Sequence, residues 1–154
     1  MLFKQAARGD ERVFMTVKCV EASSLTTGYA AAIKIATTAS FDGTQAVMTR
    51  SGTAGDLPGW VGIAVQDIPS NGFGLVQVFG NCVSVLYSQM NTSITFTAGD
   101  PLTPSALAGA LSSVLGAPTY AGSAFNWVIC SNPPTNTLSQ AGPLYGSGFI
   151  RCLK

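Results

Sequence analysis

Apolar and polar residues alternate along most of the chain. In RVFMTVKCVEA, Val13, Met15, Val17 and Cys19 fall on one side, and Phe14, Thr16, Lys18 and Val20 on the other. That period of two is the mark of a strand with one face buried. GYAAAIKIATT sets Tyr29, Ala31, Ile33 and Ile35 opposite Lys34, and reads the same way. After the Asp42-Gly43 turn signal a short strand is expected around Ala46 to Thr49. SGTAGDLPG then reads as a loop, and WVGIAVQD as a strand with Val61, Ile63 and Val65 on one face. Pro69 and Asn71-Gly72 carry reversal chemistry in DIPSNG, so residues 60–66 are expected to form a hairpin with GLVQVFG. CVSVLY continues after a short break at GN, and FNWVIC and SGFIRCLK supply later strands. SNPPTNTLSQAGP, long and polar, reads as a loop.

One segment admits two readings. TPSALAGALSSVL places Leu107, Leu111, Val114 and Leu115 at helical spacing, with Thr103 as N-cap and Pro104 as the first helical residue. Gly109 and the serines weaken that helix. The same residues also read as a strand, a turn at Ala108-Gly109 and a second strand.

Composition changes the picture through what is missing. The chain has 154 residues, enough for one domain with a real core, and 47% of them are hydrophobic. Only 10% are charged, against about 25% in an ordinary globular domain. Between Ile68 and Ile150 the sole formal charge is Asp100, whereas Lys4, Arg8, Asp10, Glu11, Arg12, Lys18 and Glu21 crowd the first 21 residues. Uncharged polar side chains keep a surface wettable yet cost less than ions to desolvate, so they suit a surface that ends against protein. A net charge of +1 with no Lys/Arg run argues against nucleic acid as a partner. No stretch reaches the roughly 18 apolar residues of a membrane helix, and MLFKQAARGDERVF lacks the apolar core of a secretory signal, so synthesis in the cytoplasm is expected.

Candidate chemistry is sparse. The chain has no histidine, which removes Ser-His-Asp and Cys-His machinery and imidazole metal sites. Cys19, Cys82, Cys130 and Cys152 are widely spaced; they allow two disulfides in three connectivities, but their apolar settings favour buried thiols, and no paired spacing suits zinc. Ser147 in YGSGF falls short of a nucleophile elbow and reads as a turn. Asp42, Asp56, Asp67 and Asp100 read as turn formers rather than as members of a carboxylate pair. Asn91 begins an NTS triplet with no export signal to support its glycosylation. Trp60, Phe73, Phe79, Trp127 and Phe149 read as core aromatics. Neither a phosphate-binding loop nor a dinucleotide fingerprint is present, so no catalytic, cofactor or metal residues are expected and the chain is not read as an enzyme.

The succession GWVGIAVQD, GLVQVFGNCVSV, AGDPLTPSALAGALSS and terminal GSGFIRCLK resembles the capsid decoration (cement) proteins of tailed bacteriophages over residues 59–154. In that family a (V)G(V/I)A strand precedes a V-x-V-x-G strand, a GD-x-L-x-x-S-x-x-A-G hairpin and a G-x-I-x-x-L terminal strand. The N-terminal half, including SSLTTGYAAAIKIATTASFDG, carries no family motif. The resemblance implies a non-enzymatic β-barrel, often trimeric, on the outer face of a virion capsid, with the major capsid protein and copies of itself as partners. It also implies a hairpin over residues 104–115. The expected fold is thus all-β: a small barrel or sandwich-like domain over residues 13–154 with long loops, preceded by an extended N-terminal arm over residues 1–12. Met1, Leu2, Phe3, Lys4, Arg8 and Arg12 of that arm are the expected capsid or subunit contacts. The alternative is a receptor- or glycan-binding β-module on a virion or cell surface.

Overall fold

A strand of 16 residues, Phe73–Ser88, organises the molecule. The computed structural model describes residues 2–7, 10–33, 45–48, 60–88, 96–105, 107–113, 128–134 and 143–151. Its strands are β1 (Leu2–Ala7), β2 (Asp10–Cys19), β3 (Ala30–Ile33), β4 (Gln45–Met48), β5 (Trp60–Ala64), β6 (Phe73–Ser88), β7 (Pro101–Pro104), β8 (Leu111–Ser113), β9 (Val128–Asn132) and β10 (Pro143–Arg151). They form one sheet in the order β1-β2-β4-β3-β5-β6-β10-β9-β7-β8, with further pairings of β6 to β2 and to β8. Those two pairings close the sheet on itself twice. One ring runs β2-β4-β3-β5-β6, the other β6-β10-β9-β7-β8, and β6 is the wall they share. The fold is all-β and barrel-like, as the period-two patterns predict.

β6 hands over from one ring to the other at Phe79, which pairs with Val13 of β2 on one edge and Arg151 of β10 on the other. The chain passes through Gly80 at φ 95°. This is backbone that glycine adopts without strain, and a Cβ there would collide with the Glu11 carbonyl of β2. The Gln77 side chain fastens the bend: its Nε2 donates to the Phe79 and Asn81 carbonyls, each at 3.1 Å. Hence GN does not interrupt the strand. The real irregularity follows it, where β6 takes three steps, from Cys82 to Val85, against two on β10, from Gly148 to Gly146. This bulge switches the inward face from even positions (Val76, Val78, Cys82) to odd ones (Val85, Tyr87) and leaves Val83 outside.

Each ring closes around its own apolar cluster. The first holds Val17 and Cys19 of β2, Ala31, Ala46, Met48, Ala64, Val76 and Val78, with Leu25 and Ile68 joined by an isolated bridge. Val13 and Met15 pack against it, so the inward face expected for β2 is the observed one. The second holds Val85, Tyr87, Phe96, Leu102, Leu111, Val128, Cys130 and Ile150. Ala30 and Ile63 also belong to it, although their strands lie in the first ring, so the cores interlock. In β3, Ala30, Ala31 and Ala32 are all buried, which replaces the one-sided alternation expected there.

The β5–β6 hairpin forms as expected, closed by the Gly72 N–H to the Pro69 carbonyl at 2.8 Å and Asn71 at φ 59°. The contested segment is a hairpin: β7 and β8 pair from Leu102↔Ser113 to Pro104↔Leu111, around Gly109 at φ 74°. Leu111 is buried whereas Leu107 is exposed, so the helical spacing of the two did not define a buried stripe. Within residues 1–12, β1 pairs antiparallel with β2 from Leu2↔Met15 to Ala7↔Asp10. The first β2 residue is therefore Asp10 rather than Val13, and the expected arm includes the partner strand of a hairpin. The Asp42-Gly43 turn signal, Asp56 and Asn91 lie outside the described residues.

Candidate functional site

The outward face of the second ring is built from β6, β10 and β9. On β10 the inward residues Gly148 and Ile150 leave Tyr145, Ser147 and Phe149 facing out, with Tyr145 49% and Phe149 36% exposed. The bulge on β6 turns Val83 out to 69% exposure beside them. Both rings are held. Phe149 packs edge-on against Phe79, centroids 5.6 Å apart at 74°. Tyr145 lies over Gly28, where an added Cβ would sit 2.9 Å from the ring. Between them lies a polar cluster: Ser131 Oγ is 3.2 Å from Asn81 Oδ1 and 2.9 Å from Ser147 Oγ. The Tyr87 hydroxyl donates to the Ser147 carbonyl at 2.7 Å from within the barrel, fixing the backbone under that cluster. Ser147 therefore sits in a strand, at the register shift of β10, and not in a turn.

From Asn81 to Val83, at Ser131, and from Tyr145 to Phe149 this face carries no formal charge; Arg151 stands exposed at its end. Burial, with Tyr29 and Asp67 nearby, raises the Tyr145 phenol, and burial raises that of Tyr87. The reading of Phe73 and Phe149 as core aromatics is corrected here: Phe73 is 66% exposed at the start of β6, with the Lys18 ammonium 5.9 Å from its ring centre.

Beside this face, where the two rings meet, is an open groove of about 500 Å³. Phe14, Val65, Leu75 and Val83 give it apolar walls, and Arg12, Thr27, Ser84 and the buried Gln77 its polar groups. Cys82 also borders it, its thiol pushed up by burial against the opposing effects of a backbone hydrogen bond at Ser84 and of the Arg12 charge. Cys19, Cys82 and Cys130 are free and buried, as their apolar settings predict.

Of the expected contact residues, Arg12 lines the groove. Leu2, Phe3 and Lys4 lie on β1 opposite Met15, Phe14 and Val13, while Met1 and Arg8 lie outside the described residues. Asp100 is a turn former whose carboxylate accepts the Thr97 N–H at 2.9 Å. Asp67 instead ties distant segments, accepting the Thr27 N–H at 2.8 Å and hydroxyl at 2.9 Å. Among the described residues no group of three His, Cys, Asp or Glu side chains converges as a metal site. The sequence matches no protein-family model and no curated protein.

Proposed function

We propose that the protein is a non-enzymatic structural protein that binds the outer surface of a phage capsid and stabilises it, docking through the outward face of β6, β9 and β10. The observation that carries this reading is the neutrality of that face together with its exposed, immobilised rings Tyr145 and Phe149. Rigid aromatic groups surrounded by hydroxyls and amides desolvate at low cost and lose little entropy on contact, the character of a protein-binding hot spot. The β7–β8 hairpin, at the place where the resemblance to decoration proteins implies one, supports the same reading. The major capsid protein is the partner in this proposal, and self-association, as a trimer, joins adjacent copies on the shell. The β1–β2 hairpin, with the basic residues Lys4 and Arg12, adds a second contact.

The test uses shells assembled from the major capsid protein of the phage genome that carries this gene. The wild-type chain co-sediments with them. Tyr145→Asp and Phe149→Asp, which place charge on the face without touching either core, lose attachment while keeping their thermal unfolding. Retention of full binding by both variants would refute the assignment of the face.

A glycan-binding module is the second reading. It draws on the Asn81–Ser131–Ser147 cluster, which sets hydrogen-bonding groups between two rings. Saturable binding of an oligosaccharide, lost in the same two variants while shells are ignored, would establish it instead.

A further inference from the structure

Gln77 is 2% exposed and lines the groove between the two rings. Its side-chain orientation is fixed by its partners. The Phe79 and Asn81 carbonyls both require a donor, so the nitrogen must face them, and both of its hydrogens are used. The amide oxygen is left as the free position, with no donor to it among the described residues. A buried acceptor without a partner is costly, and such atoms in a native fold call for a ligand or a bound water. The group that fits must therefore donate a hydrogen bond.

The rest of the groove narrows its chemistry. Phe14, Val65, Leu75 and Val83 form walls for an apolar body. Arg12 already engages a partner, so the aromatic contact falls to Phe14, which lines the same groove. An apolar ring with one donor is a phenol or an indole. The volume of about 500 Å³ admits one such ring with its flanking chain. Val83 belongs both to this groove and to the outward docking face, so a group entering here comes from whatever covers that face.

We infer that the groove receives a tyrosine or tryptophan side chain of the protein on which the outward face docks, its O–H or N–H donated to Gln77 Oε1. The source of that side chain rests on the docking function proposed above; the chemistry of the pocket does not. Binding then joins the interface to the bend of β6, since the same amide that receives the ligand holds the Phe79 and Asn81 carbonyls in place.

The experiment titrates the full-length free protein with p-cresol and 3-methylindole, with toluene as the donor-less control, following the Gln77 side-chain amide and Val83 methyl signals by NMR. Saturable shifts at both sites are expected, with p-cresol or 3-methylindole at least about tenfold tighter than toluene. Val83→Trp, at an exposed position that fills the mouth of the groove, should abolish binding without altering the fold. Gln77→Leu should bring toluene level with p-cresol; if that variant does not fold, the comparison of probes and the Val83 variant still decide. Equal binding of toluene and p-cresol by the wild type would mean that water serves the amide oxygen, and would overturn the proposal. So would the absence of saturable binding by every probe. Because no shell takes part, either result leaves the docking function to the co-sedimentation test alone.

Discussion

Around the first ring and its β1–β2 hairpin the described charges gather: Lys4, Asp10, Glu11, Arg12, Lys18, Glu21 and Asp67. Around the second the described residues include only two, Asp100 and Arg151, and Asp100 is buried. The interiors differ too. Alanines of β3, β4 and β5 with Val76 and Val78 of β6 line much of the first, beside Leu25, Met48 and Ile68, whereas Tyr87, Phe96, Leu102, Leu111 and Ile150 fill the second. Small inward side chains let strands close tightly, and such a ring needs charge outside only to stay wet. The second ring holds larger residues within and sheds charge without. A neutral outer surface is a liability in solution, which is the physical reason for setting the proposed docking face on this ring.

The strongest way to break this contrast is to break the wall both rings use. Gly80→Ala places a Cβ against the Glu11 carbonyl in a strained backbone region, and should cost about 3 kcal/mol or more. Because Ala30 and Ile63 reach into the second core, urea unfolding followed by Trp fluorescence and by far-UV circular dichroism should shift as one transition. Two separated transitions would show the rings to be independent units.

Next in size are paired core truncations. Leu111→Ala in the second ring should cost about 3 kcal/mol, and Val76→Ala in the first about 2 kcal/mol, from the methylenes lost and the cavities left. Chemical denaturation measures both, and a reversed order would refute the view that the second core contributes more per residue. Tyr87→Phe removes the donor to the Ser147 carbonyl and should cost about 1–2 kcal/mol. Its sharper readout is attachment to shells, which should weaken because the cluster beneath Tyr145 and Phe149 loses its fixed backbone.

The smallest effect belongs to Asp67 in the first ring. The Thr27 N–H, then its hydroxyl, lowers the Asp67 pKa below the ordinary carboxylate value. Its stabilisation is therefore fully present above about pH 4 and fades as pH falls through the lowered folded value. Wild type should melt slightly above Asp67→Asn near neutrality, and the gap should close in strong acid. A gap that persists or widens there would mean that the charge of Asp67 is not what binds Thr27.

Much of the fold was legible because local pattern and tertiary demand agree. β2 alternates through Val13, Met15, Val17 and Cys19, and Pro69 with Asn71-Gly72 sets the β5–β6 reversal, so both could be placed from sequence. β1 could not: KQAA has no apolar alternation, and its strand exists through pairing with β2. From sequence alone β6 reads as interrupted, because Gly80-Asn81 resembles a break, and only the Gln77 bonds and the approach of Glu11 show why the chain continues. The ring closures rest on the brief parallel contacts Lys18↔Gln45, Cys19↔Ala46 and Tyr87↔Leu111, which leave no local trace in composition. The candidate face was hidden for a related reason. Neutrality was visible in the sequence, but which side of β10 faces outward depends on the register shift between Gly146 and Gly148. Gln77 looks like a surface residue in an alternating strand, yet it is buried, with its amide turned back onto the Phe79 and Asn81 carbonyls of the same strand.

The meeting of β2 and β10 at Phe79 bears on how the chain could be rewired. Val13 and Arg151 flank that residue on opposite edges, so they stand about two strand spacings, roughly 10 Å, apart. Both strands run antiparallel to β6, and β2 begins where β10 ends. A permuted gene that dispensed with β1, spliced β10 to β2 through a short bridge, and opened the chain at the Ser70–Gly72 turn would keep both ladders to β6 in register. New termini would then emerge beside the exposed Phe73, at the far end of β6 from its second-ring half, giving a point for attaching cargo away from the docking face.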